Sequence, residues 1–301
     1  MKCSAHPRDM CRCMEKLFSG NNDSEDTHTR TRDIYYIQMI ADFHNDVLTK
    51  EEGSELVGVS EKVKSCVCAI YTGARSMDTI RGIVRKFQKE KRKNLFLALE
   101  DASYLEERNI EEVCGWNPVS VSLTWNARNG LGGGCMSEGG LTERGRCVAK
   151  RLAESGIALD CAHLNARSFY DLLDEVPGLV NTHTCLNGVY RHPRNLEDAQ
   201  IKEIVARGGL IGIAFVGKFL SADRAGMQDV FYHMDYAVQK FGDDHFCFGT
   251  DFNGTDDLPE GLKNYEDTES LRDLFYKAGY SQRSVEKIFV ENLQNFLAKK
   301  S

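Results

Sequence analysis

Eight short apolar runs, rich in β-branched and aromatic residues, recur through the chain with helical patterns between them. They are YYIQMIADF (35–43), SCVCAIY (65–71), NLFLALE (94–100), VSVSLTW (119–125), IALDCAH (157–163), GLVNTH (178–183), GLIGIAF (209–215) and FCFGTDF (246–252). Strands that alternate with helices make a parallel sheet, because each return crossover needs a helix on the sheet face. Eight is the number that closes a (β/α)8 TIM barrel, and 301 residues suit one. An open doubly wound sheet is the other arrangement. No GxGxxG follows the first run, so nothing points to a dinucleotide fold. The Gly-rich stretches NGLGGGCMSEGG and GTDFNGTDDLPEGLKN contain no GK[ST] and read as loops.

The intervening segments carry their own stop and start signals. SMDTIRGIVRKFQKEK places Ile80, Ile83, Val84 and Phe87 on one helical face. LTERGRCVAKRLAESG offers Thr142 as N-cap and Gly156 as stop, and NLEDAQIKEIVARGG offers Asn195 as N-cap and Gly208 as stop. A helical pair, DTESLRDLFYKAGY and SQRSVEKIFVENLQNFL, closes the chain. Residues 1–33 are polar and without a sustained period, and are expected to be a disordered extension to a single domain at 34–301.

Composition excludes several classes. The net charge of −7 disfavours a nucleic-acid partner. No stretch approaches the length of a membrane helix, and neither terminus carries an apolar leader or anchor. The eleven cysteines are odd in number, and Cys66, Cys68, Cys161 and Cys247 sit within apolar runs. They read as small hydrophobes in a reducing, cytoplasmic compartment and not as a disulfide framework.

In a barrel, chemistry collects at the carboxyl ends of the strands. His44 and Asp46 follow the first run, and alternate side chains of a strand point the same way. Glu100 ends the third run, His163 the fifth, His183 the sixth and Asp251 the eighth. A closed barrel aims all of them at one cavity. Alone, each has a plain structural explanation: a solvated loop start for Glu100, a satisfied core imidazole for His163, a polar turn for His183. Together they form a nitrogen and oxygen ligand set suited to Zn²⁺ or a similar divalent ion. The set is too large for one tetrahedral ion with an open position, and fits two ions sharing a carboxylate. Such a pair activates a bridging water and polarises a carbonyl, while a spare carboxylate moves protons.

The blocks DFHNDVL, LALED, GGLTERGRCVAKRLAESGIALDCAHLN, NTHTCLNGVYRHPRNLEDAQ and FGTDFNGTDDLPEGL, in that order from about residue 40 onward, resemble the renal (membrane) dipeptidase family of binuclear zinc peptidases. The resemblance implies that His44 and Asp46 bind one zinc, that His163 and His183 bind the other, and that Glu100 bridges them. It implies Asp251 as proton shuttle and partner of the substrate's amino group, with a metal-bridging hydroxide as nucleophile. It implies Arg194, in HPRNL, as the holder of the substrate's carboxylate, which agrees with the fit of a guanidinium fork to a carboxylate. The implied substrate is a dipeptide or other small amide. Members of the family often pair as homodimers, although no interface signature stands out in these residues.

Two positions depart from the family pattern. SLTWNARNG carries Trp125 where members of the renal type have a histidine that polarises the scissile carbonyl; Asn126, Arg128 and Asn129 are nearby substitutes. IGIAFVGKFL carries Val216 where a substrate-contacting tyrosine is common. The metal ligands are therefore intact and the pocket altered. A dipeptidase is the leading expectation. A metal-dependent hydrolase of another amide or a lactone is the second, and a non-catalytic barrel scaffold the third.

Overall fold

The computed structural model describes residues 39–49 and 56–300. The extension expected at 1–33 lies outside them, as does the start of the first apolar run. Each of the eight runs yields a strand: β1 (Ile40–Asn45), β2 (Val63–Tyr71), β3 (Leu95–Glu100), β4 (Ser120–Ser122), β5 (Ala158–Asp160), β6 (Leu179–Thr184), β7 (Ile211–Ile213) and β8 (Phe246–Phe248). Neighbours pair in parallel, and β8 returns to β1 through Asp42↔Phe248. That last pairing closes a (β/α)8 barrel and removes the open-sheet alternative.

Several strands are shorter than their apolar runs, because side chains at the rim compete for backbone groups. After β5, Asp160 Oδ1 accepts from Ala162 N (2.9 Å). After β8, Thr250 Oγ1 accepts from Phe252 N (3.1 Å). His163 and Asp251 therefore stand past the strand ends, in turns with left-handed backbone (φ 67° and 63°), and do not end the strands as expected.

The helices follow their caps. Thr142 accepts from Gly145 N (3.0 Å) at the start of Glu143–Glu154, and Gly156 ends it at φ 78°. Met77–Glu90 buries Ile80, Val84 and Phe87. Asn195 is not the cap of the helix Asp198–Ala206. Glu197 takes that position, and its N–H donates to Gln200 Oε1 (2.9 Å). Asn195 instead donates its amide to the carbonyls of Tyr190 and Phe219 (2.8 Å each), tying two rim loops together.

Ala41, Phe43, Val67, Ala69, Ala98, Val119, Val180, Leu210 and Cys247 form one buried cluster with Leu293 and Leu297 of the helix Asn292–Ala298. The strand residues of this cluster fill the barrel, and the final helix plugs its amino-terminal end; Phe296 meets Phe43 edge-on at 5.2 Å. Each Phe, Val or Leu of the cluster removed from water contributes roughly 1.5–3 kcal/mol, and each Ala less. The base of the barrel is thus dry and apolar, and the ionisable residues are confined to the opposite rim. Among the described residues, no helix is long and apolar enough to cross a membrane.

Candidate metal centre

Two β-bulges deliver histidines to the rim. On β1, Asp42 pairs with Cys66 and Asn45 with Cys68, so three steps on β1 match two on β2. On β6, Asn181 pairs with Ile211 and Thr184 with Ile213, again three steps against two. A bulge breaks the alternation of side chains. Phe43 and His44 consequently both face the barrel interior, as do Thr182 and His183. Asp42 and Asn45 turn away to a buried cluster around Tyr265, whose hydroxyl donates to Asp42 Oδ2 (2.6 Å) and accepts from Asn45 Nδ2 (2.7 Å). Of the alternating trio Asp42, His44 and Asp46, only the last two reach the site.

The other groups arrive by separate routes. Glu100 is the last residue of the regular strand β3. His163 and Asp251 are aimed inward by their left-handed backbone, a conformation that costs a non-glycine residue about 1 kcal/mol. Gly254 crosses so close to two carboxylates that a Cβ there would stand 2.3 Å from Asp46 Oδ2 and 2.5 Å from Asp251 Oδ1.

The ligand atoms converge. His44 Nε2 lies 3.2 Å from Asp46 Oδ2, 3.2 Å from Glu100 Oε2 and 3.9 Å from Asp251 Oδ1. The other Glu100 oxygen lies 2.8 Å from His163 Nε2. His163 Nε2 and His183 Nε2 are 2.9 Å apart. The far nitrogen of each ring has its own partner: His163 Nδ1 meets Asn126 Oδ1 (2.8 Å), and the Nδ1 atoms of His44 and His183 meet Thr182 Oγ1 (3.2 and 3.0 Å). Rings that donate through Nδ1 present bare lone pairs at Nε2. Two lone pairs facing at 2.9 Å repel each other unless a cation lies between them. Three overlapping groups have ligand atoms mutually within 4.8 Å: His44, Asp46 and Glu100; Glu100, His163 and His183; His44, His183 and Asp251. This donor set fits divalent cations.

Burial and charge act together on these groups. Burial, reinforced by the positive charge of Arg194, pushes His163 down to about 4, and His183 falls well below the usual imidazole range for the same reasons and through His44. Both are therefore neutral imidazoles at neutral pH, the form able to hold a metal ion. Burial also opposes charge on His44, but the Asp46 and Glu100 carboxylates outweigh it and lift this imidazole well above its usual range. Burial and the neighbouring Asp46 carboxylate raise Asp251 well above the carboxylate range, so it takes up a proton more readily than an ordinary carboxylate.

A cavity of about 300 Å³ opens over the cluster, lined by Glu100, His163, His183 and Asp251 and walled by Trp125, Val216 and Phe219. Trp125 is 43% exposed and meets Tyr71 edge-on at 5.6 Å, forming an aromatic lip. Arg128 and Asn129 build the loop beneath this lip: Arg128 bonds the Glu138 carbonyl, and Asn129 bonds Asp101 and the Leu123 carbonyl. Asn126 alone of the three touches a ligand. Arg194 is buried behind the cluster. Its Nη2 donates to the His183 carbonyl (3.1 Å), it lies over the Phe219 ring, and its Nε is buried without a partner. Among the described residues, Lys218 is the cation that lines the cavity itself. A larger cavity, about 600 Å³, opens to one side against Asn45, Phe252 and Tyr265 and reaches none of the clustered ligands.

Reading the sequence by runs missed Thr182, Asp160, Tyr71 and Lys218. The signal for the first two was present in NTHT and LDCAH, where a hydroxyl or carboxylate sits beside each ligand histidine.

A closed parallel barrel with histidines and carboxylates gathered at the carboxyl rim defines a TIM-barrel metalloenzyme. A sequence family described as membrane dipeptidase (peptidase family M19) matches residues 61–300, and the chain belongs to that family. Membership makes it a metal-dependent hydrolase of the dipeptidase class. It is 28% identical over 201 residues to an uncharacterized protein in the pqqA 5′ region of Klebsiella pneumoniae, covering 62% of this chain and 74% of that protein. It is 27% identical over 168 residues to an uncharacterized dipeptidase of Schizosaccharomyces pombe, covering 52% of this chain and 39% of the longer yeast protein. A metallopeptidase from Rhodobacter sphaeroides, solved with a phosphinate mimic of the dipeptide L-Ala-D-Ala, superposes with a TM-score of 0.72 at 19% identity, over 87% of this chain and 99% of that one. At that identity the likeness carries the fold.

Proposed function

We propose that the chain hydrolyses dipeptides with two zinc ions held at this rim. The observation that carries the reading is the division of Glu100: one carboxylate oxygen faces His44, the other His163. His44 and Asp46 would hold one ion, His163 and His183 the other, and Glu100 both. When bound, the pair supplies Lewis acidity and a water acidified to near-neutral pKa.

The protein's own residues do the rest. Asp251 faces the cavity within reach of both half-sites, and its carboxylate takes a proton and returns it to the departing amine nitrogen. Arg194 is the proposed holder of the substrate's carboxylate; buried behind the cluster, it would have to turn its unpartnered Nε toward the cavity to do so. Lys218 adds a second positive charge at the mouth. Trp125 and Val216 replace polar contacts with apolar wall, so the pocket selects by shape and apolar area. The solved relative with a dipeptide mimic supports a two-residue substrate of this kind.

The test is hydrolysis of a mixed dipeptide library by zinc-loaded protein beside an Asp251→Asn control. Turnover in the first, reduced at least about a hundredfold in the second, is the expected result. Turnover of lactones or other amides far above any dipeptide would move the substrate assignment to those compounds, and the apolar wall at Trp125 is the feature that would explain it.

A further inference from the structure

One hydroxyl serves a histidine in each half of the centre. Thr182 Oγ1 lies 3.2 Å from His44 Nδ1, 3.0 Å from His183 Nδ1 and 2.6 Å from Asp160 Oδ2. A hydroxyl offers one hydrogen and two lone pairs. As a carboxylate Asp160 has no hydrogen to give; its Oδ1 takes the N–H groups of Ala162 (2.9 Å) and Thr182 (3.1 Å), which leaves Oδ2 to accept from the hydroxyl. The Thr182 hydrogen therefore goes to Asp160 Oδ2. Both lone pairs remain, and each receives one imidazole N–H. Every donor and acceptor of the group is spent, and both residues are buried. The β6 bulge makes the arrangement possible, because regular alternation would send Thr182 and His183 to opposite faces.

We propose that Asp160 and Thr182 form a shared positioning device. The pair fixes the tautomer and ring orientation of His44 and His183 at once, so the two half-sites gain or lose metal affinity together. The inference rests on the two-metal reading above. It differs from the support of His163, whose Nδ1 is held separately by Asn126. Neither Asp160 nor Thr182 is a ligand or a catalytic residue; both act through the imidazoles.

The experiment is competition for Zn²⁺ between a chromophoric chelator and full-length protein stripped of metal, with cobalt absorption spectra as a second readout. Wild type is expected to take up two zinc ions per chain. Thr182→Val, which keeps the shape and removes the hydroxyl, lowers affinity for both ions by about tenfold to a hundredfold, the usual range for a lost outer partner. Thr182→Ser restores it. Asp160→Asn points an N–H at Thr182 Oγ1, consumes a lone pair needed by one imidazole, and weakens binding as well. Two results overturn the proposal: wild-type affinity at both sites in Thr182→Val, or Thr182→Ser as defective as Thr182→Val, which would assign the loss to packing. Wild type that binds two ions beside an unaffected Thr182→Val defeats the shared device alone. Wild type that binds fewer than two defeats the two-metal reading with it.

Discussion

Between β2 and β3 the ladder runs in unbroken register from Cys66↔Leu95 to Tyr71↔Glu100, whereas β1 and β6 each lose register beside a histidine of the site. The regular ladder starts at the base of the barrel, where alternate positions carry Val67, Ala69 and Ala98 into a dry core, and ends at the rim with Tyr71 and Glu100. The irregular strands belong to the rim. There two consecutive residues face inward, left-handed turns aim His163 and Asp251, and like charges share a small volume. Along β2 and β3 the base keeps its register and alternation, and gains stability from the packing that results. The rim departs from that regularity at His44, His163, His183 and Asp251, while Glu100 is delivered by the regular ladder itself, and the base supplies the rigidity that holds the departures in place.

If that division is right, damage to the two regions differs in kind. The largest effect is expected at the rim's shared carboxylate. Glu100→Gln should release both zinc ions together and reduce turnover by more than the roughly hundredfold typical of an outer partner. Metal analysis after gel filtration checks this, and loss of a single ion would contradict the bridging assignment. At the base, Leu293→Ala opens a cavity beneath the barrel and should cost about 3 kcal/mol in urea unfolding. The refolded protein should still bind its full complement of zinc, because the rim does not touch Leu293.

The smaller effect is acid sensitivity of the rim's loops. His233 is buried, accepts from Leu186 N (3.0 Å) through Nδ1 and lies 3.1 Å from the Leu220 carbonyl through Nε2. Burial pushes it down to about 4, against a weaker opposing pull from the Leu220 carbonyl. Unfolded, this histidine takes a proton near pH 6.5; folded, it refuses one until about pH 4. The unfolded state therefore binds more protons in that window, and stability falls as pH falls through it, by about 1.4 kcal/mol per unit for this one group. His233→Asn keeps an acceptor for Leu186 N and should flatten the slope by that amount in urea titrations from pH 7 to 4.5. An unchanged slope would place the acid sensitivity elsewhere.

The same contrast explains what could be read in advance. All eight strands were legible because interior positions of a barrel repeat apolar residues at short intervals, and that pattern is local. The candidate ligand residues, which the barrel brings together, were legible as ionisable groups at the ends of those runs. Their delivery was not. Alternation puts Asp42 with His44, and the bulge separates them, because register depends on the partner strand and no single run reveals it. Asn195 looked like a cap because it precedes a helical pattern, yet two loop carbonyls claim its amide. Thr182 was missed because two of its three partners, His44 and Asp160, are brought to it only by the closed barrel.

The most direct test of the central claim is anomalous diffraction at the zinc edge from crystals of the zinc-loaded protein. The account predicts two peaks about 3.5–4 Å apart, one beside His44 and Asp46, the other beside His163 and His183, with Glu100 between them. A single peak, or two peaks that do not share Glu100, would contradict it.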